Sequence, residues 1–205
     1  AHRGASGGDP QTGDGAGILF QLPHALFNRL GEGLRTTLPS PGEYGVGMVF
    51  LPQAKSARTK CQKIVERVIQ EEGQVLLGWR DVPVDNSNIG FVAKGAQPII
   101  QQVFVGKGLG TADQSSFERK LYVIRKAIEN SVSRLNDETS DIFYICSLSS
   151  NTIVYKGLLM GTQLRGFYPD LSDVALESGF AMVHSRFSTN TLGSWKLAHP
   201  YRYIS

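Results

Sequence analysis

Short apolar runs along the chain alternate with polar, glycine-containing turns, and their spacing predicts seven β-strands. They are residues 18–22, 44–51, 75–79, 99–105, 142–148, 152–155 and 180–187. Asn151 lies between the fifth and sixth runs, where it suits a turn. Residues 80–88 are predicted to form a polar turn segment after the third run.

Two longer segments, residues 54–72 and 115–135, carry apolar residues at helical spacing. Gly73 is placed to end the first helix, and Asp113 or Ser115 can cap the second. Pro23 favours the first turn of a further helix that runs to about residue 35. Because the strands come singly and in hairpins between amphipathic helices, the pattern indicates one layered domain of the α/β or α+β class.

Composition narrows the class of protein. The chain has 205 residues, enough to bury one sizeable core. No apolar run is long enough for a transmembrane helix, and a net charge of +3 is too small to indicate nucleic-acid binding. With only Cys61 and Cys146, the chain is neither a disulfide scaffold nor a cysteine-only zinc protein. Both cysteines lie in apolar periodic segments, so we expect buried, unreactive thiols.

Glycine is concentrated at the start of the chain, where residues 1–17 hold six of the 23 glycines. No Gly-Lys-Ser/Thr follows residues 12–17, so this stretch is not a P-loop. It precedes a predicted strand, whereas a dinucleotide-binding fingerprint follows one. On spacing alone a surface turn region is the favoured interpretation. The alternative is an anion cradle of backbone N–H groups beside Arg3.

The last predicted strand leads into a cluster of guanidinium, hydroxyl and amide groups. The cluster contains Arg186, Ser188, Thr189, Asn190 and Thr191. Arginine binds a carboxylate through two parallel hydrogen bonds, and Ser, Thr and Asn form directional bonds to the other groups of an amino acid. The cluster is therefore either a site for a small polar ligand or a plain polar strand end.

Neither a serine hydrolase nor a metal site is indicated. The nucleophile motif Gly-x-Ser-x-Gly does not occur in the sequence. His184 and Ser185 are neighbours on a predicted strand, so their side chains point to opposite faces. His24 and His199 stand alone, without a partner at the spacing that metal ligands need. The residues by themselves give no nucleophile and no complete catalytic unit.

Four sequence blocks resemble the glutaminase domain of glutamate synthases, and they follow the family's order across the whole chain. The blocks are His-Arg-Gly-Ala at 2–5 with Thr-Gly-Asp-Gly-Ala-Gly-Ile at 12–18, Leu-Gly-Trp-Arg-Asp-Val-Pro-Val-Asp at 77–85, Phe-Tyr-Pro-Asp-Leu at 167–171, and His-Ser-Arg-Phe-Ser-Thr-Asn-Thr at 184–191 with Ser-Trp at 194–195 and Pro200. One small departure is Leu192-Gly193, where the family commonly has Phe-Pro. Together the blocks are similar to those of class II glutamine amidotransferases.

The resemblance implies an α+β fold of the Ntn-hydrolase type, an αββα sandwich of two antiparallel sheets between helix layers. It also implies that glutamine is hydrolysed to glutamate and ammonia, which serves the reductive amination of 2-oxoglutarate. In the family an N-terminal cysteine attacks the glutamine amide, its α-amino group acts as the base, and a His-Asn-Gly-Glu segment supplies the oxyanion hole. Neither element occurs in the chain. We therefore expect residues 1–205 to be a class II amidotransferase domain truncated at both ends, and inactive alone.

The family's glutamine pocket carries over residue by residue. The resemblance implies that Arg186 binds the α-carboxylate of glutamine and that Ser188, Thr189 and Asn190 line the pocket around the α-amino end. Arg3 and Gly4 would support this pocket close to the nucleophile. The resemblance implies no metal and no cofactor in this segment. FMN and an iron–sulfur cluster belong to the remaining parts of such enzymes.

The implied partners are L-glutamine, the synthase domains of the same chain, and a small reductase subunit or ferredoxin. No nucleic acid and no membrane are implied, and the expected location is the bacterial cytoplasm or the plastid stroma. The alternative is a non-catalytic amino-acid-binding or interaction module that has lost its nucleophile. A nucleotide- or flavin-binding domain built on the first glycine-rich loop fails because the motif order is wrong. The electron donor stays open among NADPH, NADH and ferredoxin.

Overall fold

The computed structural model describes residues 9–30, 37–187 and 193–202, which form seven strands and six α-helices within those ranges. The strands are β1 (Ala16–Gln21), β2 (Tyr44–Leu51), β3 (Val75–Asp81), β4 (Ile99–Gly106), β5 (Tyr144–Ser149), β6 (Thr152–Gly157) and β7 (Ala181–Ser185). The α-helices are α1 (His24–Leu30), α2 (Lys55–Glu71), α3 (Phe91–Gly95), α4 (Gln114–Ser133), α5 (Glu138–Ile142) and α6 (Leu164–Phe167). Short 3-10 turns lie at Gly161–Gln163 and Pro169–Ser172.

The strands form two sheets, one of three strands in the order β6-β1-β7 and one of four in the order β3-β4-β2-β5. Every pairing is antiparallel. β5 and β6 are joined by a turn at Ser150 and Asn151, yet they belong to different sheets. The turn predicted at Asn151 is thus the point where the chain crosses from one sheet to the other.

The four-stranded sheet is covered on both faces, because successive side chains of its strands enter two different cores. In β2 all eight residues are buried. Val46, Met48 and Phe50 join the core that includes residues of the three-stranded sheet, whereas Val49 and Leu51 pack in the core formed with α2 and α4. A strand buried on both faces reads as a continuous apolar run, which is why its bounds were predictable from sequence.

The fold class is confirmed as α+β with two antiparallel sheets and helices. The pattern of the residues alone left α/β open, and the antiparallel pairing settles that point. Among the described helices, none is both long and apolar enough to cross a membrane.

Several bounds differ from the sequence prediction. β1 begins at Ala16, β6 continues to Gly157, β7 ends at Ser185, and the short helices α3 and α6 were not predicted. Arg80 and Asp81 belong to β3, where they pair with Gln102 and Gln101, so the predicted turn at 80–88 is wrong for its first two residues. These two polar residues fit in the strand because their side chains form hydrogen bonds with Gln102 and Gln101 on β4.

The strand predicted at 142–148 begins instead at Tyr144, after the short helix α5. Asp137 caps that helix by accepting a hydrogen bond from the Thr139 backbone N–H at 3.0 Å. The two possible caps of α4 are also resolved, since the Asp113 carboxylate accepts from the Ser116 N–H at 2.7 Å. The predicted helix from Pro23 to about residue 35 is observed as α1, and residues 31–36 lie outside the described part of the chain.

Candidate functional site

Arg186 follows directly after β7 and lies half-buried at the end of the three-stranded sheet. Its backbone N–H donates a hydrogen bond of 2.8 Å to the carbonyl of Gly15. The last residue pair of the β1–β7 ladder, Ala16 with Ser185, lies next to it. The sequence therefore brings the predicted carboxylate-binding arginine against the glycine-rich stretch at 12–17.

The glycines of that stretch allow close approach of backbone segments. A side chain at Gly13 would collide with the backbone of Leu159. Gly15 has a positive φ of 129° and lies against Ala198. A Cβ on Gly17 would lie 2.6 Å from the His199 carbonyl oxygen and 2.6 Å from the Cβ of Lys156. Residues 12–17 thus act as a packing surface. The predicted surface turn is wrong here, because most of these residues are buried under other backbone segments and the last two begin β1.

Two polar side chains near these glycines are occupied in holding α3. The Asp9 carboxylate accepts hydrogen bonds from the Thr12 hydroxyl at 2.7 Å and from the Val92 N–H at 3.2 Å. The Thr12 hydroxyl accepts from the Ala93 N–H at 3.3 Å. The hydrogen bond from Thr12, joined by backbone N–H groups, lowers the pKa of the Asp9 carboxyl. Asp9 and Thr12 therefore fix the glycine-rich stretch onto α3.

A cavity of about 510 Å³ opens beside the end of β7. Residues of β1, β7 and the chain around the Gly161–Gln163 turn form its walls. They are Ala16, Gly17, Met160, Gly161, Thr162, Leu164, Val183, His184 and Ser185. This volume lies within the usual range of small-molecule sites, and Ser185 is the residue before Arg186.

Lys156 is fully buried and anchors the segment that follows the predicted pocket residues. Its ammonium donates hydrogen bonds to the carbonyls of Lys196, at 2.9 Å, and Ala198, at 2.7 Å. It also lies over the Tyr144 ring, 4.5 Å from the centroid, and over the Tyr201 ring at 5.2 Å. Burial, joined by the nearby Arg202 guanidinium, lowers the pKa of this ammonium to about 8.

His199 is not isolated, contrary to the sequence interpretation. Its ring lies 4.6 Å from the His184 ring and 4.2 Å from the Tyr201 ring, measured between centroids. Burial lowers the pKa of His199, and the neighbouring His184 and Lys156 act in the same direction. The other predicted lone histidine, His24, shares a hydrogen bond of 2.9 Å between its Nδ1 and the Tyr44 hydroxyl. Within the described ranges, no three histidine, cysteine or acidic side chains are grouped to hold a metal.

Two of the sequence blocks that carry the family resemblance meet in a buried network. Arg80 donates two hydrogen bonds of 2.8 Å to the Asp170 carboxylate. The Tyr155 hydroxyl donates to the same carboxylate at 2.8 Å and accepts from the Gln102 amide at 2.8 Å. Gln102 in turn accepts from Arg80 at 2.8 Å. This closed set of bonds ties β3, β4 and β6 to the Pro169–Ser172 turn.

Both cysteines are buried and free, as predicted. Burial raises the pKa of Cys61 and of Cys146 to about 11. A thiol is nucleophilic as its thiolate, so neither cysteine has the character of a catalytic nucleophile.

Of the residues predicted for the pocket, Arg186 lies in the described part of the chain. Ser188, Thr189, Asn190, Arg3 and Gly4 lie outside the described residues. Sequence reasoning missed Lys156 and the Arg80–Asp170 pair. An isolated lysine inside the apolar run of β6 was the one available signal for Lys156, because a charged residue in a buried strand needs partners. Nothing in the sequence shows that Arg80 meets a carboxylate 90 residues away.

Comparison with known proteins decides the family. The family model of class-II glutamine amidotransferases matches residues 1–205. The chain belongs to this family. It is 52% identical, over 99% of its length, to "Glutamate synthase [NADPH] large chain" of Bacillus subtilis (strain 168), of which it covers 13%.

Relatives from other organisms are also named glutamate synthases. The chain is 42% identical to the protein of the same name from Azospirillum brasilense, over 100% of the chain and 13% of the relative. It is 41% identical to "Ferredoxin-dependent glutamate synthase 2, chloroplastic" of Arabidopsis thaliana, over 99% of the chain and 12% of the relative. The chain thus spans about an eighth of the length of the curated relatives that it matches.

Proposed function

We propose that this chain forms the glutaminase portion of a glutamate synthase. In this role it binds L-glutamine and takes part in its hydrolysis to glutamate and ammonia. The relatives that support this proposal cover the whole chain and are named glutamate synthases. The ammonia would serve the reductive amination of 2-oxoglutarate in the remaining domains of the same protein.

The observation that carries the proposal is the position of Arg186. It lies half-buried directly after β7, held by the Gly15 carbonyl, and the last three residues of β7 line a cavity of about 510 Å³. A guanidinium offers two parallel N–H donors, which suit the α-carboxylate of a free amino acid. Ser188, Thr189 and Asn190 would follow it around the α-amino group, and Arg3 and Gly4 would support the pocket.

The nucleophile and the oxyanion segment are proposed to lie outside residues 1–205, as the family resemblance implies. The roles left to this chain are to bind glutamine, orient it and exclude water. FMN and an iron–sulfur cluster are proposed for other parts of the full-length protein, with a small reductase subunit or ferredoxin as electron donor. The cytoplasm or the plastid stroma is the proposed location, since the relatives include bacterial and chloroplastic enzymes.

The test is to purify the full-length protein that contains this chain and to compare glutamine with ammonia as nitrogen source. With 2-oxoglutarate and a reduced electron donor, we expect glutamate formation from glutamine, and ammonia release when 2-oxoglutarate is withheld. A non-catalytic module would bind glutamine without consuming it. Glutamine that is bound but not hydrolysed would therefore contradict the proposal.

A further inference from the structure

The contacts of Lys156 extend toward the proposed glutamine pocket. The Lys156 ammonium holds the Ala198 carbonyl at 2.7 Å, and the fully buried Ala198 packs against Gly15. The carbonyl of Gly15 accepts the backbone N–H of Arg186 at 2.8 Å. Three consecutive contacts thus connect the buried ammonium to the arginine.

The same lysine also constrains residues 195–199, which lie against Gly17 of β1 and His184 of β7. Ala198 precedes His199, whose carbonyl oxygen lies against Gly17 and whose ring contacts that of His184 on β7. Trp195, earlier in the segment, is fixed by its indole N–H, which donates to the Ala93 carbonyl at 3.0 Å. Between Trp195 and His199, the Lys156 ammonium binds the carbonyls of residues 196 and 198.

Taking an ammonium out of water costs free energy that its bonds to carbonyls and aromatic rings must offset. An apolar side chain would fill the same space without this desolvation cost. The groups that face Lys156 are Tyr144 and Cys146 on β5, and His199, Tyr201 and Arg202 on the final segment. None of these is a carboxylate, so no salt bridge within residues 9–30, 37–187 and 193–202 accounts for the lysine. Its hydrogen bonds go to the carbonyls of Lys196 and Ala198, and Ala198 lies against Gly15, whose carbonyl accepts from Arg186.

We propose that Lys156 is a positioning residue for glutamine binding, which acts by fixing residues 196–198 and, through Ala198 and Gly15, the placement of Arg186. The proposal rests on the proposed function of Arg186 and adds a residue that does not touch the substrate. Removing the two N–H donors should let residues 196–198 shift away from Gly15. A displaced binding group weakens glutamine binding while the chemistry in the other domains is untouched.

The test is Lys156→Met in the full-length protein, because methionine keeps the length of the side chain and removes the donors. We expect the KM for glutamine to rise about tenfold, which corresponds to one positioning hydrogen bond. Ammonia-dependent glutamate formation should stay at the wild-type level. Lys60→Met is the matched control, since Lys60 is an exposed lysine on α2 and should change neither activity.

The decisive measurement is a double-mutant cycle with Arg186→Ala. If Lys156 acts through Arg186, adding Lys156→Met to Arg186→Ala should cause less than a twofold further loss of glutamine-dependent kcat/KM. Independent, multiplying losses would overturn the inference, as would equal losses with glutamine and ammonia or an unchanged KM in Lys156→Met. A wild-type protein that uses ammonia but not glutamine would instead overturn the proposed function, and with it the role of Lys156.

Discussion

Arg80 binds the carboxylate of Asp170 through two hydrogen bonds of 2.8 Å, although 90 residues separate them in the chain. The side chains are 13% and 4% exposed, so the pair lies almost entirely out of water. The Tyr155 hydroxyl also donates to this carboxylate, and the Gln102 side chain accepts from the guanidinium. Residues 77–85 and 167–171, two of the sequence blocks that resemble the family, are therefore joined in one structural unit.

Asp170→Asn should strongly destabilise the domain. It leaves the Arg80 guanidinium buried without its counter-charge, and breaking one partner of a buried pair costs about 3–5 kcal/mol. The measurement is the free energy of unfolding by urea denaturation. As a control, Arg67→Ala breaks the pair of Arg67 with Glu71, whose side chains are 54% and 56% exposed, and should cost less than about 1 kcal/mol. A loss below about 1 kcal/mol for Asp170→Asn would show that the pair does not carry this part of the fold.

Arg186→Lys should separate glutamine binding from folding. Lysine keeps the charge but loses the second parallel hydrogen bond to the α-carboxylate. An unmade charged hydrogen bond costs about 1.5–3 kcal/mol, which predicts a roughly 10- to 150-fold loss of kcat/KM for glutamine. Arg186→Ala should cost more. The assays are kcat/KM with glutamine and with ammonia, and the melting temperature, all on the full-length protein.

The expected result for Arg186→Lys is an unchanged melting temperature and near-normal activity with ammonia. A structural ion pair would give a different result, because the loss with glutamine would then follow a fall in melting temperature. Equal losses with both nitrogen sources would remove Arg186 from the glutamine site.

Cys61 and Cys146 should resist thiol reagents in the folded protein. Burial raises the pKa of both thiols to about 11, so few thiolates exist at neutral pH. Relative to an unperturbed thiol, each labelling rate should be at least about a hundredfold lower. Site-resolved mass spectrometry after alkylation measures this, with the denatured protein as the control. Rapid labelling of either residue, or a disulfide between them in reduced preparations, would refute the assignment.

Gly13→Ala should destabilise the glycine-rich stretch, because the new methyl group would meet the Leu159 backbone, which cannot rotate away. Overpacking of this kind costs about 1–3 kcal/mol. Gly166→Ala in α6 is the matched control, since no atom lies within 4 Å of its added Cβ and alanine favours a helix. Thermal melting compares the two. Equal melting temperatures for both variants and the wild type would mean that the contact at Gly13 is not tight.

The elements that the sequence predicted well are those with a strong periodic signal. The bounds of β2 match because both of its faces are buried, and α4 matches because its apolar stripe and the Asp113 cap agree. The end of β3 was missed because Arg80 and Asp81 are polar, and only their partners on distant segments explain them. The short helix α5 was missed because five residues carry too little periodicity to distinguish it from the start of a strand.

The residues of the candidate site also divide into those with a local signal in the sequence and those without one. Arg186 was identified by its resemblance to a family motif and by the chemistry of its neighbours in sequence. Lys156 was not identified, since its partners at residues 196 and 198 become neighbours only after β6 and the final segment come together. Contacts of this kind depend on tertiary structure and leave no local pattern in the sequence.

The central position of β1 in the three-stranded sheet has a consequence for how the protein is made. Both partners of β1 come late, since β6 begins at Thr152 and β7 at Ala181. A ribosome adds about 5–20 residues per second, so β1 leaves it on the order of ten seconds before its first partner exists. Throughout that interval both edges of an apolar strand are unpaired, which is the condition in which strands associate with the wrong chain. We therefore expect nascent chains that contain β1 but end before β6 to depend on chaperones, whereas β2, β3 and β4 can pair with one another as soon as they emerge.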